Sequence, residues 1–440
     1  MKLHLARPAR FGARAARWTA MVLAAAFVGC SSNEEGRLAA IGTGDVSAPA
    51  AGRIVPGADQ DACANLHGAG AIASAHAPVR APYLQRVTAQ DAVVAWTAAG
   101  AGSASVLIET PDGQQEMSFP AAIDASTLLA AGTTQWPFEP LFGVSKQWTA
   151  AVSGLTPDTA YCYTIFQDGE RVTAPQHLVS APPPGTGKPV QLVALGDSGG
   201  GGADQRALLK QIDTVPFDLM IHTGDIAYDS GTLAEFERNF FGVYAPLLVN
   251  HPMFPSSGNH EYETSDAAPF RQVFVLPENG GPDGVERWYS YDWGDIHFVV
   301  LDTERTGAAQ AAWLEADLAA NKQPWTIVYG HKPPHSSGEH GDDGAFQQWF
   351  VPAIEKHHVQ LVLAGHDHHY ERFHPINGVT YIVTGGGGRG VRELATPKPG
   401  SAFAEAVIHF LVVTIDGDTL TTHAIDATGR EFDSTVIPRG

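Results

Sequence analysis

From residue 190 onward, short apolar runs alternate with amphipathic segments, a pattern typical of strands alternating with helices. The runs that predict strands are 190–197, 217–225, 251–261, 288–303 (a hairpin), 325–334, 359–372, 378–389 and 406–426. The segments that predict helices are 203–212, 233–248, 308–321 and 345–358, the last one broken near Pro352. This alternation predicts an α/β domain with helices on the outside of its sheets.

Residues 78–180 carry a different pattern, in which short β-rich runs such as 91–98 and 104–110 are separated by turn-forming residues. Over 152–170, the order Leu-x-Pro-x-Thr-x-Tyr leads into an alternating strand. This order resembles the tyrosine corner of a fibronectin-III-like sandwich, with Tyr161 as the corner residue. We therefore expect an all-β domain ahead of the α/β domain, and a β-sandwich of another type is the alternative.

The first 29 residues have the composition of an export signal. They hold five basic and no acidic side chains, and 18–29 is an apolar run too short to span a bilayer. The run ends in FVGCSS, which resembles a bacterial lipobox and predicts cleavage before Cys30, with lipid on its sulfur. The alternative is a soluble secreted protein. Residues 30–77, rich in Ala, Gly, Pro and Ser, are typical of a flexible tether.

The net charge and the cysteine content limit the kinds of ligand and the cellular compartment that suit this protein. A formal charge of −20, or −25 once residues 1–29 are removed, argues against a nucleic-acid-binding domain, which needs a basic surface. The same charge means that a phosphate-bearing substrate needs a local positive centre in the protein. If Cys30 carries lipid, Cys63 and Cys162 remain as an even pair, which an oxidising compartment favours as a disulfide. Two unpaired thiols are the alternative.

Polar side chains follow the apolar strands at the point where the strands end. They are Asp197 in GDSG, Asp225 and Tyr228 in GDIAYD, Asn259 and His260 in GNHE, His331 in GHKPP, and His366 and His368 in GHDHHYER. Because the carboxyl ends of strands in an α/β sheet open into one crevice, we expect these side chains to converge. Taken singly, each motif is equally typical of a turn, a helix cap or a loop histidine. As a set, they predict a metal site of mixed nitrogen and oxygen ligands.

This series of motifs closely resembles the calcineurin-like metallophosphoesterase superfamily, and the GDxxY tyrosine and GHxHxYER ending are similar to purple acid phosphatases. The resemblance covers about 78–430, because that family also carries a fibronectin-III-like domain in front. It implies an α+β four-layer sandwich, in which two β-sheets are flanked by helices. The chain then divides into a lipoprotein-type signal 1–29, a tether 30–77, an all-β domain 78–180, a linker 181–189 and a catalytic domain 190–435.

The resemblance also implies two metal ions. The ligands of the first ion would be Asp197, Asp225, Tyr228 and His368. The ligands of the second would be Asp225, Asn259, His331 and His366, with Asp225 as the bridge. Carboxylates and a phenolate suit a trivalent ion such as Fe(III), whereas an amide and imidazoles suit divalent Fe, Zn or Mn. Most relatives outside the purple branch have a histidine two residues after the first aspartate, where this chain has Gly199.

Two histidines are candidates for catalysis. His260, beside Asn259, matches a histidine that the family places next to the metals, and we expect it to protonate the leaving oxygen. His340, nine residues after His331, resembles the family's phosphate-facing histidine. His335 lies in the same loop and competes for that role, and a surface-loop position is the alternative for each.

Together these features predict an exported, lipid-anchored enzyme of the acid phosphatase type that hydrolyses phosphate monoesters of small molecules. The first alternative is a phosphodiesterase or nucleotidase with the same metals. The second is a non-catalytic surface-binding lipoprotein, which the complete set of ligand residues argues against.

Overall fold

The structure, a computed structural model, describes Cys63, Leu66, Ile72 and residues 77–99, 102–123, 145–394 and 396–439. The predicted signal 1–29, the predicted lipid site Cys30 and most of the predicted tether lie outside these residues. Within the part of the chain that is described, no helix combines the length and the apolar character needed to cross a bilayer.

The N-terminal part of the described chain forms eight antiparallel strands. They are β1 Arg80–Gln85, β2 Asp91–Ala99, β3 Ala104–Glu109, β4 Glu116–Ile123, β5 Ser145–Ser153, β6 Ala160–Gln167, β7 Glu170–Arg171 and β8 Gln176–Val179. Their order is β1-β2-β5-β4-β3-β6-β7, with β8 on β6. The Tyr161 hydroxyl accepts a hydrogen bond from the Thr156 amide at 2.8 Å, as a tyrosine corner requires. The region is all-β as predicted, and its fibronectin-III-like type stays a prediction.

Two more sheets follow, one of six strands in the order β11-β10-β9-β19-β20-β21 and one of seven in the order β12-β13-β14-β15-β17-β16-β18. The strands are β9 Val190–Leu195, β10 Leu219–His222, β11 Met253–Pro255, β12 Tyr289–Trp293, β13 Ile296–Val300, β14 Trp325–Tyr329, β15 Leu361–Ala364, β16 Tyr370–Phe373, β17 Thr380–Thr384, β18 Ser401–Glu405, β19 His409–Asp416, β20 Thr419–Asp426 and β21 Glu431–Pro438. Each sheet has a parallel part: β9, β10 and β11 form one half of the six-stranded sheet, and β13, β14, β15 and β17 form the centre of the seven-stranded sheet.

Helices connect these strands. They are α1 Ala203–Ile212, α2 Leu233–Glu235, α3 Gly242–Leu248, α4 Asn259–Tyr262, α5 Ala268–Val273, α6 Ala308–Ala320, α7 Gly344–Trp349 and α8 Val351–Lys356. A π-helical stretch, Phe236–Phe241, makes α2 and α3 one continuous helical segment, and a 3-10 turn, Ser265–Ala267, precedes α5. The predicted α/β class with several sheets and connecting helices is confirmed.

Both faces of the seven-stranded sheet are covered, which explains its uninterrupted apolar strands. Along β14, Ile327 and Tyr329 belong to a core that also includes the six-stranded sheet. The residue between them, Val328, packs instead in a separate cluster with Leu314 of α6 and Phe346 of α7. Helices therefore lie on one side of this sheet, and the other sheet contributes to the core on the opposite side.

In the α/β part, the sequence pattern did not separate out four strands: β16 and β20, which it joined to the strands before them, and β18 and β21. All five residues of β18 are only half-buried, and most of β21 is exposed or half-buried. Such strands lack the apolar run that identified the others, and they form only by pairing with distant strands. β21 continues to Pro438, three residues beyond the predicted domain end at 435.

The N-terminal strands are bonded to the α/β part. The Tyr163 hydroxyl donates to the Val249 carbonyl at 2.6 Å, and the Asn250 side chain accepts from the His177 amide at 3.0 Å. Arg80, of which only 5% of the side chain is exposed, forms an ion pair with Glu237. The Glu237 side chain is 20% exposed, so its removal would leave a buried and unpaired guanidinium, and the contact therefore helps to hold the two parts together.

The predicted disulfide is present. Cys63 and Cys162 are bonded, with their Cα atoms 5.7 Å apart, and the bond joins residues 99 positions apart in the chain. Both sulfur-bearing residues are fully buried. A structural disulfide of this kind is typical of proteins that fold in an oxidising compartment.

Candidate metal centre

The predicted ligands come from the strand ends of two different sheets. Asp197, Asp225 and Asn259 follow β9, β10 and β11 of the six-stranded sheet, whereas His331 follows β14 of the seven-stranded sheet. His366 and His368 follow β15, also of the seven-stranded sheet. The expectation of one crevice holds, but the crevice lies where two sheets meet. Hydrogen bonds cross between the sheets at this junction; in one of them, Oδ2 of Asp197 accepts from the backbone N–H of His366 at 2.9 Å.

Three of these residues have an unusual backbone. Asp197, Asp225 and His366 have φ angles of 59°, 54° and 69°, in the left-handed region that residues with a side chain avoid. Each of them directly follows a glycine at the end of a strand. Backbone strain of this kind costs on the order of 1–3 kcal/mol per residue and clusters at functional sites. The left-handed turn directs the side chain away from the strand axis, towards the junction of the sheets.

The first group of donors surrounds the Tyr228 hydroxyl. This oxygen lies 3.1 Å from Oδ1 of Asp197, 2.8 Å from Oδ2 of Asp225 and 3.2 Å from Nε2 of His368. Nε2 of His368 also lies 3.4 Å from Oδ1 of Asp197. The four residues predicted to hold the first ion are therefore assembled around one point.

The second group of donors surrounds Nε2 of His331. This nitrogen lies 3.3 Å from Oδ2 of Asp225, 3.0 Å from Oδ1 of Asn259 and 3.1 Å from Nδ1 of His366. The other ring nitrogen of His331 is 2.9 Å from the Thr223 carbonyl, to which it donates. That bond orients the ring and leaves Nε2 to face the cluster, as the partner of a metal-binding histidine does.

The spacing of the donor atoms fits bound metal ions. Ions of the transition series bind oxygen and nitrogen ligands at about 2.0–2.2 Å, which places neighbouring ligands of one ion about 3 Å apart. The donor atoms of both groups have this separation, and those of Asp225, His331 and His366 all lie within 4.8 Å of one another. Oxygen and imidazole lone pairs brought this close together need a proton or a cation between them. The residues present therefore fit two ions that share Asp225.

The electrostatics also favour a cation. Burial, together with the carboxylates of Asp197 and Asp225, raises the pKa of Tyr228 well above that of a free tyrosine. A phenolate at this position therefore requires a strong positive charge next to it. Burial and the neighbouring His331 lower the pKa of His366 to about 2, so that its imidazole is neutral, the form that binds metals.

Glu261 holds the loop that carries Asp225. Its carboxylate is fully buried and accepts four backbone hydrogen bonds, from the amides of Asp225, Ile226, Ala227 and Gly258. The carboxylate thus ties the end of β10 to the residue before Asn259. The GNHE motif contains this glutamate, but no local pattern connects it with amides more than 30 residues away.

Gly199 explains why the histidine of other relatives is missing. A Cβ atom at this position would lie 1.8 Å from the Ile226 carbonyl oxygen, so no side chain fits. The approach is close because the Tyr228 amide donates to the Gly199 carbonyl at 2.9 Å. The segment that leaves no room for a side chain at Gly199, residues 226–228, is thus the one that carries Tyr228 of the first group of donors.

The histidines predicted to act in catalysis differ in their placement. The His260 ring packs on Tyr228 with centroids 4.2 Å apart, and its Nε2 lies 3.7 Å from Oδ2 of Asp225. His340 stacks on His366 with centroids 4.1 Å apart, and so lies beside the second group. His335 instead packs against the rings of Phe373 and Tyr381. The geometry therefore brings His260 and His340, rather than His335, to the candidate centre.

Glu261→Gln tests how the centre is held. An amide has one oxygen where the carboxylate has two, so buried N–H groups lose their acceptor. Each such loss lowers the free energy of unfolding by about 1–3 kcal/mol. We expect a clear fall in the denaturant midpoint and a loss of bound metal under conditions that saturate the wild type. Glu371→Gln, on another buried glutamate that accepts from Ser337, is the control. It should destabilise without releasing metal, and a Glu261→Gln protein with full metal content would contradict the assignment.

Comparison with known proteins identifies the domain. Residues 190–370 match the model of the family described as calcineurin-like phosphoesterase. "Probable inactive purple acid phosphatase 1" of Arabidopsis thaliana is 29% identical over 355 residues, which cover 66% of this chain and 57% of that protein. "Nucleotide pyrophosphatase/phosphodiesterase" of Hordeum vulgare is 26% identical over 335 residues, which cover 62% of this chain and 89% of that protein. This chain spans 50% to 57% of the length of four of the curated relatives it matches.

A solved structure shares the fold. The purple acid phosphatase from yellow lupin (Lupinus luteus) seeds superposes with a TM-score of 0.72 at 21% identity, over 83% of this chain and 75% of that one. The family model, the purple acid phosphatase relatives and this structural likeness agree with the strand-end motifs. Residues 190–370 therefore form a calcineurin-like phosphoesterase domain, and the chain has the fold of a purple acid phosphatase.

Proposed function

We propose that this protein is an exported hydrolase that cleaves phosphate monoesters with two metal ions bridged by Asp225. The observation that carries the proposal is the position of one atom, Oδ2 of Asp225. It lies 2.8 Å from the Tyr228 hydroxyl and 3.3 Å from Nε2 of His331, so it belongs to both groups of donors. Its partner oxygen, Oδ1, accepts from the His260 amide at 3.0 Å, which fixes the carboxylate in this orientation.

The two groups of donors differ in charge, and this supports two different ions. Asp197, Asp225 and Tyr228 bring up to three negative charges with His368, and such hard ligands suit Fe(III). The second group shares Asp225 and adds only neutral donors, those of Asn259, His331 and His366. A divalent Fe, Zn or Mn ion suits that set.

Metal ions held by these two groups of residues would activate a water as the nucleophile and would place positive charge next to the phosphoryl oxygens. The protein would supply orientation and a proton. Nδ1 of His260 donates to the Asp229 carbonyl, so Nε2 is the atom that faces the site. In its doubly protonated form His260 can pass the Nε2 proton to the leaving oxygen.

In His340, a contact with Arg392 decides which ring nitrogen carries the proton. Its Nε2 contacts a guanidinium nitrogen of Arg392, which can only donate, so Nε2 accepts and the ring proton lies on Nδ1. A neutral imidazole with one N–H stacked on His366 is suited to hydrogen bonding with a phosphoryl oxygen. We assign it that role.

The proposed location is the cell envelope, with a lipid anchor at Cys30. The basic and apolar composition of residues 1–29 supports export, and the buried Cys63–Cys162 disulfide supports folding in an oxidising compartment. Export with cleavage and no lipid is the competing possibility. Phosphodiester or nucleotide hydrolysis is the second candidate activity, favoured by the name of the barley relative.

The activity is tested by comparing esters on metal-analysed protein. We expect hydrolysis of 4-nitrophenyl phosphate to exceed that of bis(4-nitrophenyl) phosphate, and a chelator to abolish both. Faster cleavage of the diester would favour the second candidate activity. Absence of chelator-sensitive turnover on either ester would overturn the proposal in favour of a binding protein.

Tyr228→Phe tests the identity of the first ion. A phenolate bound to Fe(III) absorbs visible light by charge transfer, and the iron-loaded wild type should therefore be coloured. The phenylalanine variant should lose this band, as measured by visible spectroscopy at matched iron content. Tyr262→Phe, on a nearby tyrosine that bonds Asp302 instead, is the control and should keep the band. A coloured Tyr228→Phe protein would contradict the assignment.

His340→Asn and His335→Asn form a matched pair within one loop. Because His340 stacks on His366, we expect its variant to lower kcat by about 10²-fold, the usual range for a lost polar contact in the transition state, with metal content retained. His335 packs on Phe373, so its variant should change stability more than kcat. The reverse result, with His335→Asn inactive and His340→Asn active, would assign the role to His335.

A further inference from the structure

Asp367 stands between two predicted metal ligands, and its carboxylate faces the loop that carries His340. In GHDHHYER it separates His366 from His368, and only 1% of its surface is exposed. Its Oδ2 accepts from the Ser336 hydroxyl, and its Oδ1 accepts from the His340 amide at 3.0 Å. This buried carboxylate is therefore bonded to the loop at two points.

The loop runs from the interior of the protein to its surface. Ser336 is buried, whereas His340 is exposed. Gly338, which lies between them in the chain, packs directly on the aspartate, because a Cβ atom at this glycine would be 2.4 Å from Cγ of Asp367. The exposed tip of the loop thus rests on one buried carboxylate.

His340 is held at its ring and at its backbone. Nε2 of the ring contacts Arg392, and the ring stacks on His366. The backbone contact is with Asp367, whose buried carboxylate oxygen is a strong acceptor for an amide N–H. Because the tips of surface loops are otherwise mobile, the backbone contact sets the position of the ring, and Arg392 sets how the ring is turned.

The position of Asp367 in the chain also relates His340 to the candidate metal centre. Its neighbours His366 and His368 are predicted ligands of the second and of the first ion, and its amide donates to the Gly365 carbonyl at 2.8 Å in a tight turn. A group that contacts a reacting phosphate must be held to within about 0.5 Å of its productive position. An anchor in the segment that carries the ligands meets that requirement.

We propose that Asp367 is a positioning residue, which holds His340 where its ring contacts the phosphoryl group of the substrate. Asp367 acts through the backbone amide of His340 and touches no substrate itself. This inference rests on the proposed function, because it takes the reacting phosphate to lie between the two ions and His340. It gives the residue between the two ligand histidines of GHDHHYER a role distinct from metal binding.

The kinetics of Asp367→Ala and Asp367→Asn test this role. Alanine removes both acceptor oxygens, so we expect kcat for 4-nitrophenyl phosphate to fall by about tenfold or more, towards that of His340→Asn, at unchanged metal content. Asparagine keeps one oxygen for the His340 amide, and its NH2 group can donate to the Ser336 hydroxyl. Asp367→Asn should therefore retain most of the activity.

A double-variant cycle with His340→Asn separates positioning from general stability. If Asp367 acts through His340, their losses do not multiply, and Asp367→Ala should lower kcat of the His340→Asn protein by less than about twofold. Gly338→Ala keeps the carboxylate but puts a Cβ atom against it, so it should displace the loop and cause a similar loss. This variant carries the test if Asp367→Ala does not fold.

Glu371→Ala is the matched control. Glu371 is another fully buried carboxylate of the same segment, and it accepts from the amide and from the hydroxyl of Ser337, at 2.6 Å each, near the base of the same loop. Its removal should lower the denaturant midpoint. The value of kcat should stay within about twofold of the wild type, because His340 keeps its own anchor.

Binding of inorganic phosphate to metal-loaded protein, measured by calorimetric titration, tests the inference without turnover. We expect Asp367→Ala and His340→Asn each to weaken it by about threefold to tenfold, as the loss of one hydrogen bond predicts. The double variant should bind no more weakly than the weaker single variant. Glu371→Ala should bind phosphate like the wild type.

Four results would overturn the inference. They are a wild-type kcat in folded Asp367→Ala or Gly338→Ala, a loss of metal from Asp367→Ala, losses that multiply with that of His340→Asn, and an equal loss of kcat in Glu371→Ala. The proposed function fails separately, if the wild type shows no chelator-sensitive turnover of either ester. The phosphate titration then still decides whether Asp367 acts through His340.

Discussion

The carboxylate of Asp225 is shared between two sets of donor atoms, and the rest of the centre depends on its position. One oxygen, Oδ2, belongs both to the set around Tyr228 and to the set around His331. Two ions can share one carboxylate only if its oxygen is fixed to within a fraction of an ångström. The protein achieves this with a left-handed backbone at Asp225, with the His260 amide on Oδ1 and with the buried carboxylate of Glu261 on the Asp225 amide.

The two sheets explain how so many polar groups can converge in a buried place. Parallel strands with both faces covered leave only their ends open, and the ends of β9, β10, β11, β14 and β15 supply the donors. Because the donors come from both sheets, the centre also depends on how the sheets are held together, and Asp197 accepts a bond from the opposite sheet. Cations at this junction would give an acidic protein a place to bind phosphate.

The sequence predicted the α/β class, helix 203–212 with its observed bounds and the set of polar strand ends. Each of these features is visible as a local pattern of apolar and polar residues. Local pattern could not show that the strands belong to two sheets, since pairing depends on contacts far apart in the chain. The half-buried strands β18 and β21 were missed for the same reason. Glu261 was also missed as a part of the centre. Its partners, such as the Asp225 amide, are adjacent to it only after folding.

The most direct measurement is the number of metal ions bound per chain, determined by elemental analysis after equilibrium dialysis, for the wild type and for Asp225→Asn. If Asp225 joins two ions, the wild type should hold about two per chain, and the amide should lower the occupancy of both, because it removes a charge that both use. A wild type that holds a single ion would contradict the account. So would an Asp225→Asn protein that retains both ions at full occupancy.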